Sequence, residues 1–90
     1  MIGEEVVAEA QPICTDSTGH WEAREPMQLL KLTKRTWQPT SLMLVFDEGN
    51  QFCHRKFVSS REVGRRILRR WDGVKVTKAQ LEAEGWEYMR

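Results

Sequence analysis

Val58-Ser59-Ser60-Arg61-Glu62-Val63-Gly64-Arg65-Arg66-Ile67-Leu68-Arg69-Arg70-Trp71-Asp72-Gly73 carries the start, the two faces and the stop of one helix, and the rest of the chain is arranged around it. At about 100° per residue, Arg61, Arg65, Arg66, Arg69 and Arg70, with Glu62, cover roughly half of the helical wheel. Val63, Gly64, Ile67, Leu68 and Trp71 cover the other half, so the helix has one core face and one basic face. Ser59 as N-cap with Glu62 three residues on predicts a capping box, and Val58 and Val63 stand where a hydrophobic staple would sit. Gly73 supplies a left-handed stop. Gly64 costs about 1 kcal/mol relative to alanine in a helix interior; on the apolar side, it predicts close approach to a strand or a second helix.

Upstream lies the clearest β signal. Leu42-Met43-Leu44-Val45-Phe46 is apolar on both parities, Asp47-Glu48-Gly49-Asn50 is turn chemistry, and residues 51–58 return as a strand. Leu42, Leu44 and Phe46 line one face of this hairpin. The return strand is less regular, with Phe52, His54 and Lys56 on one parity and Cys53, Arg55 and Phe57 on the other, which suggests a bulge. Residues 27–37 read as a strand leaving the core toward solvent, residues 14–19 as a polar, turn-rich link, and residues 5–10 as either a first strand or part of a loose arm over residues 1–20.

Downstream, Val74-Lys75-Val76 is an extended connector. Thr77 and Gln80 form a second capping box, with Val76 and Leu81 as staple, opening a brief helix over residues 78–84 that ends at Gly85. Trp86 and Tyr88 alternate with charged residues, as in a short final strand or a docked tail. Prolines at 12, 26 and 39 divide the first half into short segments, and no internal repeat or linker splits the chain. The expected fold is therefore α+β in a single small domain over residues 1–90. It comprises an antiparallel sheet of three or four strands, the amphipathic helix 60–71 packed on it, and a short C-terminal helix.

A chain of 90 residues buries only about 60–65% of its unfolded surface. Its 40% hydrophobic content still suffices for a core, to which tryptophans at 21, 37, 71 and 86 are the natural large contributors. The net charge of +1 hides an asymmetry, because residues 1–50 sum to −4 and residues 51–90 to +5. An acidic first half weakens the case for a dedicated nucleic-acid binder. The acidic start Met1-Ile2-Gly3-Glu4-Glu5 lacks the pattern of a signal peptide, and no run of 18 apolar residues predicts a membrane span, so a cytoplasmic protein is the default expectation. Two cysteines, Cys14 and Cys53, are expected to be free thiols.

Catalytic chemistry finds little support. Cys53 and His54 are adjacent and would point to opposite faces of a strand, which leaves Cys14, His20, Cys53 and His54 poorly spaced for zinc. His54 reads as an exposed strand residue. Cys/His catalysis has no orienting third group in view, and Asp16-Ser17-Thr18-Gly19 departs from the aspartic-protease tripeptide by one inserted residue. No phosphate-binding loop, dinucleotide fingerprint or nucleophile elbow occurs. The chain thus reads as non-enzymatic, with no cofactor and no metal.

Lys34-Arg35-Thr36-Trp37-Gln38-Pro39 resembles the opening stretch of one of the smallest bacterial large-subunit ribosomal proteins. That family is basic along its whole length, whereas the apolar run at 42–46 follows here, and no fold, partner or residue role is carried over from it.

The candidate site is the basic set Arg55, Lys56, Arg61, Arg65, Arg66, Arg69 and Arg70. Arginine donates two parallel hydrogen bonds to a carboxylate or a phosphate. The expectation is a regulatory or adaptor protein presenting this arginine-rich helix face to an acidic protein surface. The alternative is sequence-independent binding of RNA or DNA phosphates, and self-association of a two-sided molecule is a third arrangement.

Overall fold

Antiparallel pairing organises most of the molecule, whose computed structural model describes residues 3–33, 41–48 and 52–89. The order is β1 (Gly3–Ala10), β2 (Ile13–Asp16), β3 (Gly19–Glu22), β4 (Met27–Thr33), β5 (Ser41–Asp47), β6 (Cys53–Val58), α1 (Arg61–Trp71), β7 (Lys75–Val76), α2 (Lys78–Ala83) and β8 (Glu87–Tyr88). The larger sheet has the spatial order β1-β4-β5-β6-β8 and is antiparallel at every junction. A smaller sheet, β3-β2-β7, joins a β2–β3 hairpin to a parallel β7. The α+β class stands, but the count of three or four strands falls short, because the N-terminal stretch and the tail both pair as strands.

Helix α1 lies across one face of the larger sheet. Leu29 on β4, paired with Leu44 on β5, points at it, and both are fully buried. Gly64 makes the contact close: a Cβ built there would stand 2.7 and 2.8 Å from the two methyl carbons of Leu29. The expected close approach is therefore to a strand. Leu68 and Trp71 continue the buried edge of α1, and Leu81, Trp86, Phe46, Phe52 and Val76 complete the same core. Trp71 and Trp86 are buried and Trp21 is half-buried with its ring edge-on to Phe52, while Trp37 lies outside the described residues, as do residues 34–36 of the expected strand 27–37.

The caps follow the sequence with one correction. Ser60, not Ser59, is the N-cap of α1, with extended backbone and its Oγ accepting from the Val63 amide at 3.2 Å. β6 runs to Val58, and Ser59 is used in turning from the sheet to the helix. Glu62 thus falls one position short of the capping-box site and instead pairs with Arg66. In α2 the Thr77–Gln80 capping box is present. Gly73 and Gly85 both follow a helix at positive φ, 69° and 91°. At Gly85 the amides of Gly85 and Trp86 bond to the carbonyls of Glu82 and Leu81, a Schellman ending that folds Trp86 back onto Leu81.

Three readings of the strands change. No bulge interrupts β5–β6, whose register runs evenly from Leu42↔Val58 to Asp47↔Cys53; the shift lies in β1, at Val7. Phe52, His54, Lys56 and Val58 therefore face the helix layer, and Cys53, Arg55 and Phe57 face the other way. His54, expected to be exposed, is fully buried, because α2 and β8 close over that end of the sheet. Residues 14–19, expected to be a link, belong to the β2–β3 hairpin.

Glu48 fastens the β3–β4 connection to the end of β5. Its carboxylate accepts from the backbone amides of Arg24 and Glu25 at 2.8 to 3.0 Å.

Candidate functional site

All five arginines of α1 are exposed, because the helix buries only the Gly64–Leu68–Trp71 edge. They do not form one equivalent set. Arg66 is held by Glu62 at 3.3 Å on the same helix, and Arg70 by Glu84 of the α2 C-cap at 3.0 Å. Arg70 also lies over the Trp71 ring, 5.8 Å from its centroid. Arg61, Arg65 and Arg69 have no acidic partner among the described residues. Spaced four residues apart at 1.5 Å rise per residue, they form a line with steps of about 6 Å along the helix.

This line runs along the side of α1 nearer to β1. Arg65 and Arg69 border a shallow groove of about 180 Å³ whose other walls are Ala8, Glu9, Leu68 and Asp72. The groove has an apolar floor, and Asp72 stands at its rim. Asp72 is partly committed, since its Oδ1 accepts from the Gln11 amide at 2.9 Å. Glu9 turns its carboxylate to the other face of the sheet, where it accepts from the Gln28 side chain at 2.9 Å.

The remaining two residues of the sequence-derived set lie elsewhere. Lys56 is on the helix side of β6, and its Nζ donates to the Glu84 carbonyl at 2.7 Å, tying α2 to the sheet. Arg55 projects from the opposite face, 3.5 Å from Glu87 and 5.7 Å above the Phe57 ring. The fold therefore gathers Arg61, Arg65, Arg66, Arg69 and Arg70 on one surface and separates Arg55 and Lys56 from it. Adjacency on a strand sends the two to opposite faces of the sheet, where Lys56 is held by the Glu84 carbonyl under the helix layer and Arg55 by Glu87 on the far side.

Of the four cysteine and histidine side chains, Cys14, Cys53 and His54 are enclosed and His20 is exposed on β3. Cys14 is fully buried, and its thiol is pushed up from 9.0 to about 12, first by burial and then by the Glu48 and Asp16 carboxylates. Such a thiol is a poor nucleophile at neutral pH. Cys53 is also buried, and both cysteines are free. His54 Nε2 lies 3.2 Å from Glu82 Oε2 while its Nδ1 has no partner among the described residues, and the ring packs at 5.2 Å against Tyr88, over which Lys78 sits at 4.6 Å. Among the described residues, no three His, Cys, Asp or Glu side chains are grouped to hold a metal ion.

Glu9, Asp72 and the β1 wall were invisible from the helix pattern alone, because the β1–β4 register that places them is non-local. The split between paired and unpaired arginines was partly readable: Glu62 to Arg66 is an i,i+4 pair, whereas Glu84 reaches Arg70 only through tertiary structure.

No protein-family model matches the chain, and neither a curated protein nor a solved structure gives a significant match. Among the described residues, no helix is long and apolar enough to cross a membrane.

Proposed function

We propose that this is a non-enzymatic binding domain, of regulatory or adaptor type, that receives an acidic segment of a partner protein along the Arg61–Arg65–Arg69 line. One observation carries the reading. Three exposed arginines stand in register without a counterion among the described residues, while their neighbours Arg66 and Arg70 are already held by Glu62 and Glu84. The adjoining groove favours a protein over a nucleic acid. Its Ala8–Leu68 floor offers apolar contact, which protein interfaces use and a phosphate backbone does not.

The test is fluorescence anisotropy with a labelled decaglutamate peptide, a single-stranded RNA and a duplex DNA, each titrated over a range of salt concentrations. The variants are R61A/R65A/R69A and R66A/R70A. Exposed ion pairs contribute about 0.2–1 kcal/mol each, so the triple variant is expected to lose peptide affinity on the order of tenfold, and the double variant no more than about threefold. Tighter binding to duplex DNA, with a log–log salt slope of about −3, would replace this reading with phosphate binding, since three neutralised phosphates give that slope. Absence of binding to all three probes at low salt would overturn it.

A further inference from the structure

The face of the larger sheet turned away from α1 carries an apolar row that crosses four strands without a break. Val6 pairs with Leu30, Leu30 with Met43, and Met43 with Phe57. The row ends are open, with Val6 48% and Phe57 55% exposed, while Leu30 in the middle is nearly covered. Apolar side chains directly opposite one another across strands shield each other and form one continuous strip. Both helices lie on the other side, so among the described residues no helix covers it. Leu32 and Val45 adjoin the strip from neighbouring rows.

The row beside it is charged in an ordered way. Glu9 pairs with Gln28, Gln28 with Val45, Val45 with Arg55, and Arg55 with Glu87. An acid thus stands at the β1 end of the row and a guanidinium three strands away on β6.

We infer that this face is the interface between two copies of the chain, packed sheet on sheet across a two-fold axis that runs along the strands between β4 and β5. That operation reverses the strand order of the second copy. Val6 then meets the second copy's Phe57, Leu30 meets its Met43, and Glu9 meets its Arg55. The apolar strip is self-complementary, and the charged row becomes two Glu–Arg contacts related by symmetry. Aligned sheets pack about 10 Å apart with interdigitating side chains, a spacing that side chains of this size fill.

Two other arrangements fail on charge. A two-fold axis across the strands would lay β1 over β1, setting Glu4 and Glu9 of one copy against the same acids of the other. Edge-to-edge pairing of β1 would align Glu4, Glu5 and Glu9 with their own copies, and the irregularity at Val7 disturbs that edge. The head-to-tail contact suggested by the opposite charges of the two chain halves is also unlike this interface, which joins the same face of both copies.

The footprint sets the strength. The four strands β1, β4, β5 and β6 that overlap across this axis, spaced about 4.8 Å and each about 20 Å long, offer roughly 400 Å² of flat area per copy. That places the complex near the small end of specific interfaces, and a dissociation constant on the order of 10 μM is expected.

The test is sedimentation equilibrium of the full chain between 1 and 200 μM. The wild type is expected to move toward twice its 10.6 kDa mass across that range. F57K and V6K change side chains that are already about half exposed, so each should keep its far-UV circular dichroism and remain at monomer mass. E9R and R55E should each weaken the dimer at least fivefold, and E9R/R55E should recover most of that loss. A wild type that stays at monomer mass at 200 μM would overturn the inference, as would a folded F57K that still dimerises. Failure of the charge exchange to recover the dimer would refute the proposed axis. R61A/R65A/R69A should leave the dimer unchanged, which separates this interface from the arginine line.

Discussion

Replacing Gly64 with alanine sets two known effects against each other at one atom. In an open helix the change stabilises by about 1 kcal/mol, because glycine has greater backbone freedom to lose on folding. Here the new Cβ would stand 2.7 and 2.8 Å from the Leu29 methyl carbons, closer than carbon atoms tolerate. Leu29 is fully buried between α1 and the sheet, so its side chain cannot swing into solvent, and either it takes a strained rotamer or the helix lifts. Overpacking of this kind costs about 1–3 kcal/mol, which outweighs the propensity gain. The expected net loss is about 1 kcal/mol, or roughly 4–8 °C in melting temperature for a domain of this size. Urea unfolding followed by tryptophan fluorescence measures it. The mechanism is isolated by adding Leu29→Ala, which alone should cost about 2–5 kcal/mol by opening a cavity. In G64A/L29A the added methyl has room and fills part of that cavity, so the double variant should be at least 1 kcal/mol more stable than the two separate losses predict. A stabilised G64A, or losses that simply add, would refute the close-approach argument.

The N-cap prediction discriminates between neighbours: Ser60→Ala should destabilise by about 1 kcal/mol, and Ser59→Ala by no more than about 0.5 kcal/mol, both read from urea midpoints; the reverse order would move the cap. Cys14 should resist alkylation in the folded protein at pH 8, since a thiol near pKa 12 holds about a thousandth of the thiolate of one near 9. The sign of its pH dependence follows from the same shift. The folded value lies above the unfolded one, so the protonated thiol's contribution is whole below pH 9 and is lost as pH rises from 9 toward 12. Over that window the wild type should lose up to about 1.4 kcal/mol per pH unit more than Cys14→Ala, whatever the fixed cost of the substitution. Equal slopes in the two proteins would show that Cys14 is not shielded.

Local signals were legible wherever a single turn of chain decides the outcome. The α1 periodicity, the Thr77–Gln80 box, the Gly73 and Gly85 stops and the inward face of β5 each depend on residues within about five positions of one another. Glu62 misled because Ser59 and Ser60 both offer a cap hydroxyl, and which one serves depends on where β6 releases the chain. The larger misses were non-local. Residues 14–16 lie in a central strand because β2 pairs with β3 on one side and, in parallel, with β7, some 60 residues later, on the other. His54 is buried because Trp86 folds back on Leu81 and carries β8 alongside β6. The irregular parity of residues 52–57 suggested a bulge on the assumption that one face meets water; both parities carry apolar residues because each face of this sheet bears an apolar surface. For the site, the basic half of the α1 wheel was visible in the chain, but the separation of Arg55 and Lys56 from it required the register of β6.

That two-faced sheet links the two proposed surfaces. Helix α1 covers one face and turns its arginines outward, whereas the Val6–Phe57 row lies on the other. Pairing two copies through the open faces would leave both helical layers outside, with the Arg61–Arg65–Arg69 lines on opposite sides of the dimer. A short acidic peptide could then occupy only one line at a time, so its affinity should be the same for the wild type and F57K. Probes carrying two acidic segments behave differently: when a flexible connection is long enough to pass around the dimer, the second binding event becomes intramolecular and overall affinity rises well above that of either segment. With a connection too short to span the two sides, that gain vanishes. A series of tethered decaglutamate pairs of increasing linker length, titrated against the wild type and F57K, should therefore show a length threshold in the wild type alone. A gain of equal size in F57K would show that the avidity arises within one copy and that the two surfaces are not joined through the dimer.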